Sequence, residues 1–256
     1  MISVWGSDLL ITPKKSIIIK KMLKWAFKRC DSVTVVADHM TSSLLSLKVP
    51  IEKIRVITHG IDVELFKKTE NPKNKEFTVV CTRNLETVYN HKQLFDGFAK
   101  ALKKTPEINL LVIGDGSLRR KLNDYSKEIG INKNVSFVGK VSQKKMVEFL
   151  NKCHLFVSFS TSDGDVVSMV EAMACHLFCI GSDIPANHFW ITQNKNGFLI
   201  PLNEVDKLAD AIINVKNDYL RLTKQAIEFN IEIINNKGNW NSNMQKAQAL
   251  YNGLLK

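Results

Sequence analysis

From Phe77 onward, short runs rich in Val, Ile, Leu and Phe alternate with longer stretches of helical periodicity, and no other property of the chain restricts its fold so strongly. Strands covered on both faces read as continuous apolar runs, and parallel neighbours need a crossover long enough to hold a helix. Residues 77–81, 109–113, 135–137, 155–158, 177–180 and 197–200 carry the strand pattern. Helical patterns fill 91–104, 117–129, 143–150 and 168–175 between them, and helices dominate from 204 to 255. The expectation is an α/β protein built on a doubly wound parallel sheet.

Ahead of Phe77 the same pattern is a fragment: a helix over 13–29, a strand over 32–36, a helix near 42–47 and a strand over 54–57. Lys67-Lys-Thr-Glu-Asn-Pro-Lys-Asn-Lys-Glu76 is polar and contains proline, which marks a solvated linker. The expected organisation is a partial second α/β domain over 1–70, the main sheet domain over 71–236, and a C-terminal helix over 237–256 packing back toward the N-terminal part.

Hydrophobic residues at 45% and charged residues at 24% describe a globular chain. No apolar run approaches the roughly 18 residues that span a bilayer. The start, Met-Ile-Ser-Val-Trp-Gly-Ser-Asp, lacks the basic and apolar regions of an export signal. Five cysteines without C-x-x-C spacing read as reduced thiols, not as a disulfide or zinc framework. A cytoplasmic protein without structural metal is expected.

The net charge of +11 is concentrated: residues 13–29 hold Lys14, Lys15, Lys20, Lys21, Lys24, Lys28 and Arg29 and no acid. Ile18, Met22 and Trp25 recur at helical spacing while Lys21, Lys24 and Lys28 fall on another face, giving a basic amphipathic helix. One reading packs the apolar stripe into the protein and leaves the basic face in water. The other lays the helix on anionic lipid headgroups as a peripheral contact on the inner face of the membrane. Nucleic acid is not expected, because the aromatic residues do not interleave with the cations in the stacking pattern of single-strand binders and no zinc-finger or RRM signature is present.

Chemistry concentrates in Ser160-Thr-Ser-Asp-Gly-Asp-Val-Val-Ser-Met-Val-Glu-Ala-Met-Ala174. A strand precedes it and a helix follows, the crevice in which open α/β sheets hold ligands. Asp163 falls in the loop and Glu171 about one turn into the helix, so both carboxylates can accept hydrogen bonds from hydroxyls. Gly164 permits close backbone approach, and the amides opening the helix near Val167 and Ser168 form an anion site. Arg83, at the carboxyl end of the first strand of this half, is placed to clamp a diphosphate. Lys92 is a second candidate for that charge. Gly114 and Gly116 end a strand, but Leu118 and Arg119 follow where a dinucleotide fingerprint needs its third glycine. They fit either a plain strand-to-helix turn or a place beside a nucleotide. Asp163-Gly-Asp165 also has the D-x-D spacing of some metal-binding transferases.

Asp163-Gly-Asp-Val-Val-Ser-Met-Val-Glu-Ala-Met-Ala174, then Gly181-Ser-Asp-Ile-Pro-Ala-Asn187 and Asn196-Gly-Phe-Leu-Ile-Pro201, resemble the donor-binding half of the family 4 retaining glycosyltransferases of the GT-B fold. Ile57-Thr-His-Gly-Ile-Asp62 with Phe66, Cys81-Thr-Arg83, Gly114-Asp-Gly116 and Gly6-Ser-Asp8 match in order, so the resemblance covers nearly the whole chain. It implies a Rossmann-like donor domain whose two acids, usually both Glu, stand here as Asp163 and Glu171. The first would hold sugar hydroxyls and the second the ribose. Gly164, Asp165, Val166 and Val167 would line sugar and phosphate through their backbone, and Arg83 and Lys92 would neutralise the diphosphate. The donor would be a nucleoside-diphosphate sugar, with no cofactor and no bound metal.

The sequence departs from that pattern at His176, usually glycine, and at Lys92, since the family's lysine often stands closer to the arginine. The βα units that open the family's acceptor domain are also missing ahead of Gly6. The expected activity is transfer of a hexose to a hydroxyl of a glycan or lipid-linked glycan, as in cell-envelope polysaccharide synthesis. The alternative is a non-catalytic or split nucleotide-sugar-binding subunit that needs a partner chain for its acceptor domain.

Overall fold

The computed structural model describes residues 1–70 and 72–255. The N-terminal unit is a three-stranded parallel sheet in the order β1 (Ile2–Val4), β2 (Val33–Val35), β3 (Ile54–Val56). Between β1 and β2 run α1 (Ser7–Leu10), α2 (Thr12–Lys15) and α3 (Ile17–Arg29), and α4 (His39–Ser46) links β2 to β3. The expected helix over 13–29 is therefore two helices. Ser16 adopts an extended backbone and its Oγ accepts from Ile19 N, so it stops α2 and caps α3.

The phase of α3 also decides against the reading in which the Ile18, Met22 and Trp25 stripe packs inward. Phe27 is buried and Leu23 packs partly buried against the core of Val4, Val33, Val35, Met40 and Leu44. Ile18, Met22 and Trp25 are 68%, 63% and 61% exposed. The helix has two apolar stripes, and the sheet covers only the one through Leu23 and Phe27.

The larger sheet has six parallel strands: β4 (Phe77–Cys81), β5 (Ile108–Ile113), β6 (Val135–Gly139), β7 (Leu155–Ser158), β8 (Phe178–Ser182) and β9 (Gly197–Ile200). Their order is β6-β5-β4-β7-β8-β9, so the chain reverses its direction of travel between β4 and β7. Helices α5 (His91–Lys104), α6 (Arg119–Glu128), α7 (Gln143–Lys152) and α8 (Val167–Ala174) make the crossovers, and the short α9 (Pro185–His188) follows β8. β4, β7 and β8 are buried at every position, which requires cover on both faces. One core, with Phe95, Phe98, Leu110, Val157 and Leu208, lies on one face, and a second, with Phe156, Met169, Met173 and Trp190, lies on the other. All five cysteines are buried and free.

After β9 come α10 (Val205–Asn217), α11 (Tyr219–Ile233), a π turn over Ile234–Gly238 and α12 (Trp240–Leu254). Here the chain returns to the N-terminal unit. Ile61 N donates to Gly238 O at 2.7 Å and Trp240 N donates to Ile61 O at 2.9 Å. Gly60 has φ +73°, and a Cβ there would stand 2.7 Å from Gly238 O, so the two crossing segments meet backbone to backbone. Met244 and Ala247 of α12 line one small cavity with Val4, Thr34 and Ile57 of the N-terminal unit.

Candidate functional site

The reversal between β4 and β7 brings the carboxyl ends of these two strands side by side, and the segments leaving them carry the polar cluster. Arg83 follows β4, and Asp163 lies in the loop between β7 and α8. The Arg83 guanidinium forms a buried ion pair with Asp163 and donates through Nη1 to Ser168 Oγ at 2.8 Å. The Tyr89 ring lies over it, 4.2 Å from ring centre to guanidinium carbon. Its Nε is buried without a partner. Burial pushes the Asp163 carboxyl above the usual carboxylate range, against the pull of Arg83 and the Gly164 N–H.

Glu171 sits on α8 and has no side-chain hydrogen-bond partner among the described residues. Burial raises its pKa to about 7, with only Arg83 favouring the charged form. A half-buried carboxyl of that kind is ready to take hydroxyl donors. The side chain of Val166 is buried and that of Val167 partly buried in the second core, so only their backbone can serve a ligand. Met169 N and Val170 N already donate to Val166 O, and the N–H groups of Val167 and Ser168 open the helix toward the cluster.

Asp165 does not join Asp163. Its Oδ1 accepts from Trp190 Nε1 at 3.0 Å and its Oδ2 from His59 N at 3.2 Å. Burial raises its pKa to about 6. The D-x-D spacing thus sends its two carboxylates to different partners, one to a cation and one to two N–H donors.

Lys92 is not brought to the site, which corrects its expected role. It lies on the first turn of α5 with a 64% exposed side chain, and its Nζ donates to Asp96 at 3.1 Å and to Tyr125 Oη at 2.8 Å. Gly114 and Gly116 act through space rather than chemistry. A Cβ at Gly114 would stand 2.6 Å from Arg83 O and one at Gly116 2.5 Å from Leu85 O. Leu85 N donates to Asp115 O and Leu118 N to Leu85 O, so the two glycines let the β5–α6 turn hold the Arg83 loop in place. Gly116 also lines an open groove of about 740 Å³ with Arg119, Arg120 and Phe137.

The N-terminal unit closes the other side. A Cβ on Gly164 would stand 2.0 Å from Trp5 O, so this glycine admits the Trp5–Gly6 backbone. Asp8 fixes that backbone by accepting from Trp5 N, Gly6 N and Leu9 N. His39 Nε2 donates to Asp163 O at 3.2 Å. Between the units lies a cavity of about 290 Å³ lined by Gly6, Ser7, Asp8, Tyr89, Asp163 and Gly164, among others. Sequence reasoning missed His39, Tyr89 and Trp190, which bear no motif of their own, and gave no role to His59, although it lies in the Ile57–Asp62 segment.

A cleft at the carboxyl ends of parallel strands, holding a guanidinium, two raised carboxyls and a helix N-terminus, is built for a polyhydroxylated anion. The model of the family "Glycosyl transferases group 1" matches residues 62–232, and the chain belongs to that family. Among curated proteins it is 26% identical over 232 residues to the UDP-Gal:alpha-D-GlcNAc-diphosphoundecaprenol alpha-1,3-galactosyltransferase of Escherichia coli, covering 84% of this chain and 59% of that one. It is 24% identical over 225 residues to the N-acetyl-alpha-D-glucosaminyl L-malate synthase of Bacillus anthracis, with 85% and 56% covered. The chain thus spans less than two thirds of these relatives. In fold it is similar to Staphylococcus aureus TarM, solved with UDP, at a TM-score of 0.85 and 20% identity, over 98% of this chain and 50% of that one. HepE of Anabaena, solved with UDP and glucose, gives 0.84 and 19%, over 96% and 70%. The GT-B architecture expected from the sequence is the one present.

Proposed function

We propose that this chain carries the donor site of a UDP-sugar-dependent, retaining, metal-independent hexosyltransferase acting on a hydroxyl of a glycan or lipid-linked glycan. The observation that carries the reading is the Arg83–Asp163–Ser168 cluster beside Glu171, at the strand ends and closed by the Trp5–Asp8 loop. UDP is favoured over other nucleotides because relatives are named for UDP-sugars and structural neighbours were solved with UDP.

In this reading Glu171 accepts from ribose hydroxyls, and the Val167 and Ser168 N–H groups face the diphosphate. Arg83 leaves part of its bond to Asp163 to neutralise the leaving group, and Asp163 takes sugar hydroxyls in its place. The bond between the anomeric carbon and the phosphate oxygen breaks, releasing UDP, and the acceptor oxygen bonds to that carbon from the same face. The acceptor proton leaves with the phosphate. A guanidinium and helix amides aimed at the developing charge supply the stabilisation a metal ion gives elsewhere.

Calorimetric titration with UDP, UDP-glucose, UDP-galactose and UDP-N-acetylglucosamine, with GDP-mannose as a contrast, tests the reading. Saturable binding of UDP and at least one UDP-sugar, weakened by Glu171→Ala, is expected. Absence of binding by every nucleotide would overturn it.

A further inference from the structure

We propose that the outward stripe of α3 is a lipid-facing surface that lays the N-terminal unit on an anionic bilayer. Four large apolar side chains on this one helix face solvent: Ile17 at 66%, Ile18 at 68%, Met22 at 63% and Trp25 at 61%. Ile18, Met22 and Trp25 follow i, i+4, i+7 spacing and form one continuous stripe. The helix does not need that stripe to stay in the fold, because Leu23 and Phe27 attach its opposite side to the sheet.

Charge selects the occupant. Lys21, Lys24 and Lys28 border the stripe, with Lys14, Lys15, Lys20 and Arg29 close by, and no acid occurs anywhere from Leu9 to Cys30. None of these seven cations has a carboxylate partner within salt-bridge distance among the described residues, whereas Lys92, Lys100, Lys104 and Lys145 of the larger unit all do. A second copy of the chain pairing through the same face would bring two such clusters together, which like-charge repulsion opposes. A nucleic acid would satisfy the cations and leave Ile18 and Met22 in water. An anionic lipid surface satisfies both, with the apolar stripe below the headgroups and the lysine stems reaching up to phosphate. The Arg29 guanidinium lies 4.2 Å over the Trp25 ring, an aromatic with a charge above it that suits the headgroup level. No helix among the described residues is long and apolar enough to cross a membrane, so the contact is peripheral.

The surface also has a direction. Trp5, Gly6 and the first residues of α1 line the cavity with Asp163, and the chain runs from there through α1 and α2 into α3. A lipid-linked acceptor would reach that cavity from the α3 side, and this clause alone rests on the transferase reading.

Co-sedimentation of the purified chain with vesicles of phosphatidylcholine, with and without phosphatidylglycerol, tests the proposal without any activity measurement. Binding is expected only to the phosphatidylglycerol vesicles. Lys21→Gln, Lys28→Gln and Arg29→Gln combined should weaken it by roughly a hundredfold at low salt, at about tenfold or less per cation. Met22→Ser with Trp25→Ser should abolish the part that survives high salt. All five positions are exposed, so unchanged thermal unfolding serves as the control. Equal binding to both vesicle types, no binding to either, or wild-type binding by the serine variant would overturn the proposal. So would a concentration-dependent dimer without lipid that the serine variant loses.

Discussion

Replacing Asp163 tests the candidate site most directly, and the structure dictates which replacement is informative. Asp163 and Arg83 have side chains 13% and 9% exposed, so Asp163→Ala leaves a guanidinium buried without its counter-ion. Its Nε already lacks a partner, and only Ser168 and the Tyr89 ring remain to it. Breaking a buried pair from one side costs about 3–5 kcal/mol. Against a total of about 5–15 kcal/mol for a domain, that is a large fraction. At roughly 2–4 °C per kcal/mol for a protein of this size, the melting temperature should fall by about 6–20 °C. Lost transfer in Asp163→Ala is therefore ambiguous between a damaged site and a damaged fold.

Asp163→Asn separates the two. The amide oxygen keeps an acceptor for Arg83 and keeps the volume, so the cost should be about 1–2 kcal/mol, the difference between charged and neutral hydrogen bonds. If the carboxylate orients the sugar and holds Arg83 for the leaving group, transfer from a UDP-sugar should drop by about 10²–10³ while UDP binding persists. Thermal unfolding followed by circular dichroism, together with a UDP-release assay, reads both quantities. Wild-type turnover in Asp163→Asn, or an unchanged melting temperature in Asp163→Ala, would refute the reasoning. Arg83→Ala combined with Asp163→Ala should be less destabilised than the sum of the single variants, because neither charge is then left alone.

Burial raises the Glu171 pKa to about 7, and hydroxyl donors favour its charged form. UDP affinity should therefore fall as pH drops through 7, and the difference between wild type and Glu171→Gln should vanish well below it in calorimetric titrations. Asp165, raised from 3.8 to about 6, binds its proton more tightly folded than unfolded, so stability from this group is present in acid and lost as pH rises from about 4 to 6. Asp165→Asn should shed about 3 kcal/mol of that pH dependence, read as a flatter melting-temperature profile between pH 4 and 7. Gly164→Ala sets a Cβ 2.0 Å from Trp5 O, a backbone atom that cannot swing aside. It should cost about 1–3 kcal/mol and expose the first unit to proteolysis, measurable as faster cleavage near the 67–76 linker.

The sheet was legible in the sequence because central parallel strands cannot afford polar positions, and the runs at 77–81 and 155–158 have almost none. Glu171 and Asp163 were legible because a strand, a glycine-containing loop and a helix fix where such residues stand. Lys92 was not, since spacing from Arg83 says nothing of the face of α5 on which it falls; the helix starts at His91 and turns the lysine toward Asp96 and Tyr125. The packing of α3 was hidden for a related reason. Both Ile18-Met22-Trp25 and Leu23-Phe27 are apolar at helical spacing, and only the position of the sheet decides which is covered.

Those tertiary choices converge on three consecutive residues. The N-terminal unit touches Asp163 through His39, Gly164 through the Trp5 carbonyl and Asp165 through the His59 N–H. The loop that carries Asp163 is thus held by the unit opposite it, not only by its own strand and helix. His59 precedes Gly60, where the segment leaving β3 meets Gly238 and Trp240, so Asp165 joins the loop to the place where the chain crosses between the units. Any opening of the cleft must break the His59 N–H to Asp165 bond or drag the loop along with it. Donor affinity and the angle between the units should therefore change together, and Trp190→Phe, which removes one of the two N–H donors to Asp165 without touching the cleft, should loosen both.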